Sequence, residues 1–209
     1  MEILIVAATV HELALYMKNG EADILITGVG APVCMYALTK RLHEKKYDIA
    51  IQAGIAGTFK DIYQRGETVI VKQDVFADLG ICESGNFYTL FEKGFTEGNV
   101  SPYQNERLVN PSPENFSLPE VSAITVNKVS DKKEQTEMFV KKYDPDIETM
   151  EGAAFHYICL SEGLPFIQLR SISNFVGDRP GIKWKMKEAV ENLNENLTRI
   201  VRELQTKSV

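Results

Sequence analysis

Short apolar runs rich in isoleucine and valine alternate with segments of helical periodicity along most of the chain. Continuous β-branched runs of this kind are typical of strands in a sheet that is covered on both faces. The alternation of strands and helices therefore predicts an α/β fold. The runs that we predict to be strands are 3–8, 23–30, 48–54, 68–72, 122–127 and 165–173.

Three segments have the spacing of helices. Residues 31–46 follow a glycine-rich turn and carry basic side chains in their last turns, where the helix dipole favours cations. Residues 151–163 end in a glycine, which is a common C-terminal signal. Residues 182–205 carry an apolar stripe that predicts a face packed against the core. The stripe consists of Val190, Leu193, Leu197, Ile200, Val201 and Leu204.

The segment from about residue 82 to residue 118 has a different composition. It is rich in glycine, asparagine, serine and proline, and it holds four aromatic residues between positions 87 and 95. We interpret it as a hairpin with long surface loops that is inserted into the α/β frame. Because no clean linker or internal repeat interrupts the chain, the sequence predicts one domain over residues 1–209.

Charge and cysteine content restrict the class of partner. The 209 residues carry a formal net charge of −6, which argues against nucleic acid or an anionic membrane surface as the main partner. The three cysteines, Cys34, Cys82 and Cys159, are isolated, so no metal site or disulfide framework is indicated, and we interpret them as buried thiols. The apolar opening reads as a first strand rather than a signal peptide, which favours a cytoplasmic protein.

Several predicted strand ends carry candidate ligand-binding residues, and ligands of open α/β sheets bind at this edge. Glu12 follows the first strand, either as a carboxylate over the sheet edge or as an acidic residue favoured by a helix N-terminus. His11 is interpreted as an exposed residue or a local hydrogen-bond partner. Glycines at 28–30 and 53–57 allow close approach of a ligand or a simple turn. The first pair lacks the third glycine of a dinucleotide-binding loop, so no cofactor is predicted.

The most informative strand end combines two segments. Met150 and Glu151 stand at a predicted helix start, and Ser173 and Asn174 end a predicted strand. A carboxylate such as Glu151 can accept two hydrogen bonds from the vicinal diol of a ribose, while a thioether can lie against the sugar face. Alternatively, Glu151 caps its own helix, Met150 fills the core and Asn174 is a turn residue.

Taken together, these segments resemble the purine nucleoside phosphorylase and nucleosidase superfamily. The similarity runs from ILIVAATVHEL through AGIAGTF and ETMEGAAF to RSISNFVGDR, and so covers nearly the whole chain. Within the superfamily, the segments AATVHE, VFADLG, ITVNKV, ETMEGAAF and SISN are most similar to the futalosine hydrolases of menaquinone biosynthesis. The resemblance implies a three-layer α/β sandwich whose central mixed, largely parallel sheet is flanked by helices.

The resemblance also implies residue roles. Glu12 would be the general base that activates a water molecule, Glu151 would hold the ribose hydroxyls and Met150 would line the sugar. Asn174 would form hydrogen bonds to the purine, and the backbone around Val129 would form part of the base pocket. The further residues predicted to bind the substrate are Ile55 and Ser173.

Two features favour water over phosphate as the nucleophile. Phosphorylases of the superfamily hold phosphate with an arginine-containing loop after the first strand, and with an arginine and a serine near the end of the third. The corresponding positions here are AATVHE, Gln52 and Ile55. A phosphate without arginine or lysine would lose its charge-assisted hydrogen bonds, and the Glu12 carboxylate would repel it.

The residue at position 174 bears on the leaving base. Adenosine-type nucleosidases of the superfamily have an aspartate where this chain has Asn174. An asparagine amide can donate to O6 of a 6-oxopurine while its carbonyl accepts from a protonated N7. Adenine would leave these buried groups unpaired, which is costly. Asn174 therefore points to a hypoxanthine-type base, that is, a 6-oxopurine.

The resemblance implies hydrolysis of the N-glycosidic bond of futalosine, with hypoxanthine and dehypoxanthine futalosine as products. One alternative is a methylthioadenosine/S-adenosylhomocysteine-type adenine nucleosidase, and another is a relative that binds a nucleoside without catalysis. The expected partner is a small-molecule nucleoside, and the resemblance implies a homo-oligomer, a dimer or larger. The aromatic residues of the inserted segment, with Arg179 or Lys183, are candidates for binding the 5′ arm.

Overall fold

A computed structural model of the chain describes residues 1–18, 20–111, 116–177 and 185–207. These residues form ten strands, four α-helices and two short 3-10 turns, the turns at Val10–Leu13 and Tyr16–Lys18. The elements follow the order β1 (Ile3–Ala7), β2 (Asp23–Ile26), α1 (Ala31–Glu44), β3 (Ile49–Thr58), β4 (Thr68–Asp74), β5 (Gly80–Glu83), β6 (Asn86–Thr89), β7 (Leu108–Val109), β8 (Glu120–Thr125), α2 (Lys133–Tyr143), β9 (Ile147–Thr149), α3 (Gly152–Glu162), β10 (Phe166–Phe175) and α4 (Met186–Lys207).

Eight of the described strands form one mixed sheet. β1 lies between β2 and β3 and is parallel to both. β3 also pairs with β10 in parallel and with β9 antiparallel. On its other edge β10 pairs with β4, β4 pairs with β8, and β8 pairs with β9. The strands β3, β10, β4, β8 and β9 therefore close into a ring.

The predicted α/β fold with a mixed sheet and flanking helices is confirmed, but part of the sheet is barrel-like rather than a layer of an open sandwich. The reason lies in the two ten-residue strands β3 and β10. Each of them pairs with different neighbouring strands along different parts of its length. The register between them shifts between Ile172 and Asn174, and such a bulge bends a strand. The sheet can therefore curve until β9 reaches the end of β3.

Helices cover both faces of β1, whose side chains alternate between two core clusters. Ile3 and Ile5 belong to the cluster that contains the α4 stripe, whereas Leu4 and Val6 pack with residues of α1 and α3. The prediction of a strand buried on both faces is thus confirmed for β1. It is wrong for β2, which is only half-buried because it forms the edge of the sheet.

Most of the predicted stripe on the last helix is buried, from Leu193 through Leu204, and packs under the sheet as expected. Val190 is the exception, since it is half-buried. The predicted helix start at 182–184 lies outside the described residues. None of the helices described here is long and apolar enough to cross a membrane.

The sequence patterns did not predict α2, β9 or the short strand β7. Within the segment predicted as an insertion, β5 and β6 form an exposed antiparallel hairpin. Cys82 lies in this hairpin and is exposed, so its interpretation as a buried thiol is wrong. Cys34 and Cys159 are buried as predicted.

A histidine in α3 is completely buried. The Nδ1 atom of His156 lies 3.0 Å from the carbonyl oxygen of Leu108, and it must carry the hydrogen because a carbonyl only accepts. Burial disfavours the charged imidazolium and lowers the pKa of His156 to about 4, from an ordinary value of 6.5. The fold therefore holds this side chain neutral.

We predict that the free energy of unfolding decreases on acidification partly through His156. Below pH 6.5 the unfolded chain binds a proton at this position and the folded chain does not, until the pH reaches about 4. The corresponding loss is about 1.4 kcal/mol per pH unit in this range. Urea unfolding from pH 7 to pH 5 should show a shallower pH dependence for His156→Gln than for the original chain. Equal slopes would contradict the prediction, because all other groups are common to both proteins.

Candidate active site

A cavity of about 360 Å³ opens at the carboxyl ends of the parallel strands β1, β3 and β10. The exposed His11 lies at its rim, and Met186 and Val190 of α4 line it from another side. The residues that the sequence predicted to act in catalysis or to bind the sugar and the base line this cavity. These residues are Glu12, Ile55, Val129, Met150, Glu151, Ser173 and Asn174. The aromatic residues of the inserted segment, which were candidates for binding the 5′ arm, are not among the described residues that line it.

Glu12 lies on the first 3-10 turn and is 8% exposed. One carboxylate oxygen, Oε2, accepts hydrogen bonds from the Thr9 backbone N–H at 2.9 Å and from the Thr9 hydroxyl at 3.2 Å. The other, Oε1, accepts from the Ile55 N–H on β3 at 3.3 Å. Both interpretations of Glu12 therefore hold, since its carboxylate caps the start of a helical turn and also lines the cavity.

Glu151 precedes the first residue of α3, but its side chain makes no capping hydrogen bond to that helix. Its Oε1 instead accepts from the Gly30 N–H at 2.8 Å. Gly30 has a φ of 102°, which favours glycine and aims this N–H at the carboxylate. The interpretation of Glu151 as a cap of its own helix is thus wrong. Met150 is half-buried and lines the cavity, so it does not fill the core either.

A buried arginine, Arg170 of β10, was missed as a site residue. Its side chain is only 2% exposed, and its Nη2 donates to Gln52 Oε1 at 2.5 Å. Gln52 was interpreted as an uncharged replacement for a phosphate-binding residue, yet a cation reaches it from the neighbouring strand. A signal was present, because a charged residue inside the apolar run 165–173 is seldom buried without a partner.

Gly54 of β3 makes room for this arginine beside Glu12. A Cβ atom at position 54 would overlap Arg170 Nη1 and would lie 2.9 Å from Glu12 Oε1. The nearby positive charge of Arg170 also acts on Glu151. Burial raises the pKa of Glu151, and the Arg170 guanidinium opposes that rise.

Glu148 is a second residue that was missed. It is buried, lines the cavity and accepts from the Ser130 N–H at 3.0 Å and the Ser130 hydroxyl at 2.5 Å. These bonds fix the loop that carries Val129, and burial raises the pKa of Glu148. Strand alternation could have identified it, since side chains two residues apart, as in Glu148 and Met150, point to the same face.

The amide of Asn174 has a defined orientation. Its Nδ2 donates to the Phe175 carbonyl at 2.9 Å, and its Oδ1 accepts from the Ser173 hydroxyl at 2.7 Å. Because the carbonyl can only accept, the nitrogen must be the atom that faces Phe175. The hydrogen bonds of the described residues account for one amide hydrogen and one lone pair of Asn174, which leaves one of each for a ligand.

A buried polar cluster supports the start of α3 from below. Thr125 Oγ1 donates to Asp74 Oδ1 at 3.0 Å and accepts from the Ala153 N–H at 2.7 Å. A Cβ atom at Gly152 would overlap the Asp74 carboxylate. The helix that follows Glu151 is thus held against β4 and β8. The predicted 5′-arm residues Arg179 and Lys183 lie outside the described residues.

The family model of the phosphorylase superfamily matches residues 7–206. The chain therefore belongs to this superfamily, and the family resemblance predicted from the sequence is confirmed.

Individual relatives agree with this assignment. The chain is 29% identical over 186 residues to the futalosine hydrolase of Thermus thermophilus, an alignment covering 86% of this chain and 80% of that protein. It is 26% identical to the 5′-methylthioadenosine/S-adenosylhomocysteine nucleosidase of Geobacillus kaustophilus, covering 79% and 72%. The native structure of the Helicobacter pylori futalosine hydrolase has the same fold, with a TM-score of 0.81, 16% identity, and coverage of 97% and 98%.

Proposed function

We propose that this chain is a nucleosidase that hydrolyses the N-glycosidic bond of futalosine and releases hypoxanthine and dehypoxanthine futalosine. The observation that carries the proposal is the placement of two carboxylates, Glu12 and Glu151, in one cavity at the carboxyl ends of the strands. The relatives named futalosine hydrolase support the choice of substrate. In this proposal residues 1–209 act as one nucleosidase domain with an insertion at about 82–118.

The charges around the cavity favour water as the nucleophile. Its carboxylates are Glu12, Glu148 and Glu151, and no lysine or arginine occurs among the described residues that line it. Arg170 lies behind the lining of the cavity. It is a single cation near several carboxylates, and it already donates a hydrogen bond to Gln52. A phosphate dianion would meet net repulsion, whereas a water molecule can donate a hydrogen bond to Glu12 and lose a proton to it.

The sugar and the base are assigned to separate parts of the cavity. Glu151 would accept hydrogen bonds from the ribose hydroxyls, with Met150 against the sugar. As the glycosidic bond breaks, positive charge develops on the sugar and negative charge on the departing purine. The remaining N–H of Asn174 would donate to O6 of hypoxanthine, and its remaining lone pair would accept from protonated N7. Val129 and Ile55 would line the base and sugar pocket, with Ser173 holding the Asn174 amide.

Further parts of the proposal rest on the sequence and the family. They are a role in menaquinone biosynthesis, a cytoplasmic location and a homo-oligomeric assembly, a dimer or larger. These stay predictions.

We predict that the purified protein releases hypoxanthine from futalosine at the same rate with and without phosphate, because water is the nucleophile. Methylthioadenosine should release adenine slowly or not at all. Chromatography of the bases released from both nucleosides measures the outcome. A strict requirement for phosphate would refute hydrolysis, and faster turnover of methylthioadenosine would favour the adenine nucleosidase instead.

Glu12→Gln should lower kcat by about 10²- to 10⁴-fold, the range expected when a general base is lost. The KM for futalosine should change little, since the ribose and base contacts remain. Steady-state kinetics on the variant measure both constants. Glu162→Gln, at an exposed acidic residue at the end of α3, is the matched control. Full activity of Glu12→Gln would eliminate Glu12 as the base.

Asn174→Asp should shift the ratio of kcat/KM towards adenine nucleosides. A carboxylic acid can donate to N7 and accept from the exocyclic amine of adenine, whereas it loses the amide donor for O6. The ratio of kcat/KM for futalosine and methylthioadenosine, measured for both proteins, tests the assignment. An unchanged ratio would mean that other residues select the base.

A further inference from the structure

One polar side chain interrupts the core-facing side of α4. Asn194 is 3% exposed and lies one helical turn from Val190, on the side of the helix that packs under the sheet. A buried amide is costly unless its donors and acceptors are paired. An asparagine at this position, where Leu193 and Leu197 nearby are apolar, is therefore expected to have specific hydrogen-bond partners.

Asn194 joins the last helix to the turn that carries Glu12. Its Nδ2 donates to the backbone carbonyl of Glu12 at 2.8 Å and to that of Val190 at 2.6 Å. Its Oδ1 accepts from the Tyr16 N–H at 2.8 Å. The two carbonyls require the nitrogen and the N–H requires the oxygen, so the amide has one possible orientation. Both of its hydrogens are used.

The segment held in this way needs external support. Glu12 belongs to a four-residue 3-10 turn, and Tyr16 begins a second turn of three residues. Such turns have weaker internal hydrogen bonds than an α-helix. The Glu12 side chain is held by Thr9 and Ile55, but neither contact fixes the Glu12 carbonyl. Asn194 supplies that contact from a 22-residue helix anchored in the core.

We propose that Asn194 is a positioning residue for Glu12: by holding the backbone of the 3-10 turn, it sets the direction of the carboxylate towards the attacking water. Asn194 is not among the residues that line the cavity, so it acts through Glu12 and not on the substrate. This inference rests on the proposed function for the role of Glu12 as the base. The inference adds a residue of α4, outside the cavity, to those on which the reaction depends.

Asn196 offers a matched control on the same helix. It is half-buried, and its Nδ2 donates to Asn192 O at 3.0 Å and to Thr68 Oγ1 at 3.3 Å. Asn196→Leu thus removes comparable hydrogen bonds without touching the turn of Glu12. Two variants probe Asn194 itself. Asn194→Leu removes all its side-chain contacts, whereas Asn194→Asp keeps the acceptor for Tyr16 and loses the donor to Glu12.

The kinetic experiment compares kcat and KM for the three variants. Displacement of a catalytic group by about 1 Å can cost about 100-fold in rate. Both Asn194 variants should therefore lose about 10- to 100-fold in kcat, with KM nearly unchanged, while Asn196→Leu retains the original kcat. Loss of kcat in the Asn196 variant to the same extent would indicate a general effect on α4 and would overturn the inference. Unchanged kcat in both Asn194 variants would overturn it as well.

Amide hydrogen exchange gives a second readout that needs no substrate. Exchange at the Tyr16 N–H should be faster in Asn194→Leu than in the original chain and unchanged in Asn196→Leu. Unchanged exchange at Tyr16 in Asn194→Leu would show that the contact does not hold the turn, and would overturn the inference.

The two proposals can fail separately. If futalosine is inert and methylthioadenosine is hydrolysed, the proposed substrate is wrong, and the same kinetic comparison on methylthioadenosine still tests Asn194. If neither nucleoside is hydrolysed, both the proposed function and the positioning role are refuted. If futalosine is hydrolysed and the Asn194 variants behave like the control, only the positioning role is refuted.

Discussion

The buried guanidinium of Arg170 is the interaction on which the rest of the site depends. A buried cation is stable only if nearby groups compensate for its lost hydration. Gln52 accepts one of its hydrogen bonds, the Glu151 carboxylate interacts with its charge, and Glu12 Oε1 lies near Arg170 Nη1 beside Gly54. The cation in turn opposes the rise that burial causes in the pKa of Glu151. The arrangement requires that β3 carry no side chain at position 54, because the Arg170 guanidinium occupies that space. The glycine in this strand is thus explained by the arginine on the neighbouring strand.

Each carboxylate is held by a contact from a distant segment. Glu12 is bonded to Ile55 on the neighbouring strand, and Glu151 is bonded to Gly30 in the loop before α1. Below Glu151, Thr125 and Asp74 fix the start of the helix that follows it. Closure of the five-strand ring brings β9, which precedes Glu151, to the end of β3, and β1 pairs with β3 on its other part. The cavity is thus a product of topology, and its chemistry depends on a few backbone N–H groups.

Local patterns singled out some candidate residues of this site, while their roles came from the family resemblance. Glu12, Glu151 and Asn174 could be chosen as candidates because each lies next to a strand or helix boundary that periodicity reveals. Arg170 could not be assigned a role, since its partners lie on other strands and no local spacing links them. Ring closure escaped prediction for the same reason: it depends on the bend in β10 and on β9, whose three residues are too few to show a period. The helix α2 is mostly polar and buries only Phe139 and Tyr143, which is too few apolar positions to stand out in the sequence.

The bond between Asn194 and Glu12 spans 182 positions of the sequence. During synthesis from the N-terminus, the first strand and its 3-10 turn leave the ribosome long before α4 exists. Contacts between such distant residues form late, because the loop that separates them must first be closed. The turn that carries Glu12 therefore gains this contact only after α4 has been synthesised and has packed against it. Met186 and Val190 of the same helix also line the cavity, so the first and the last described segments of the chain must pack together before the site is complete.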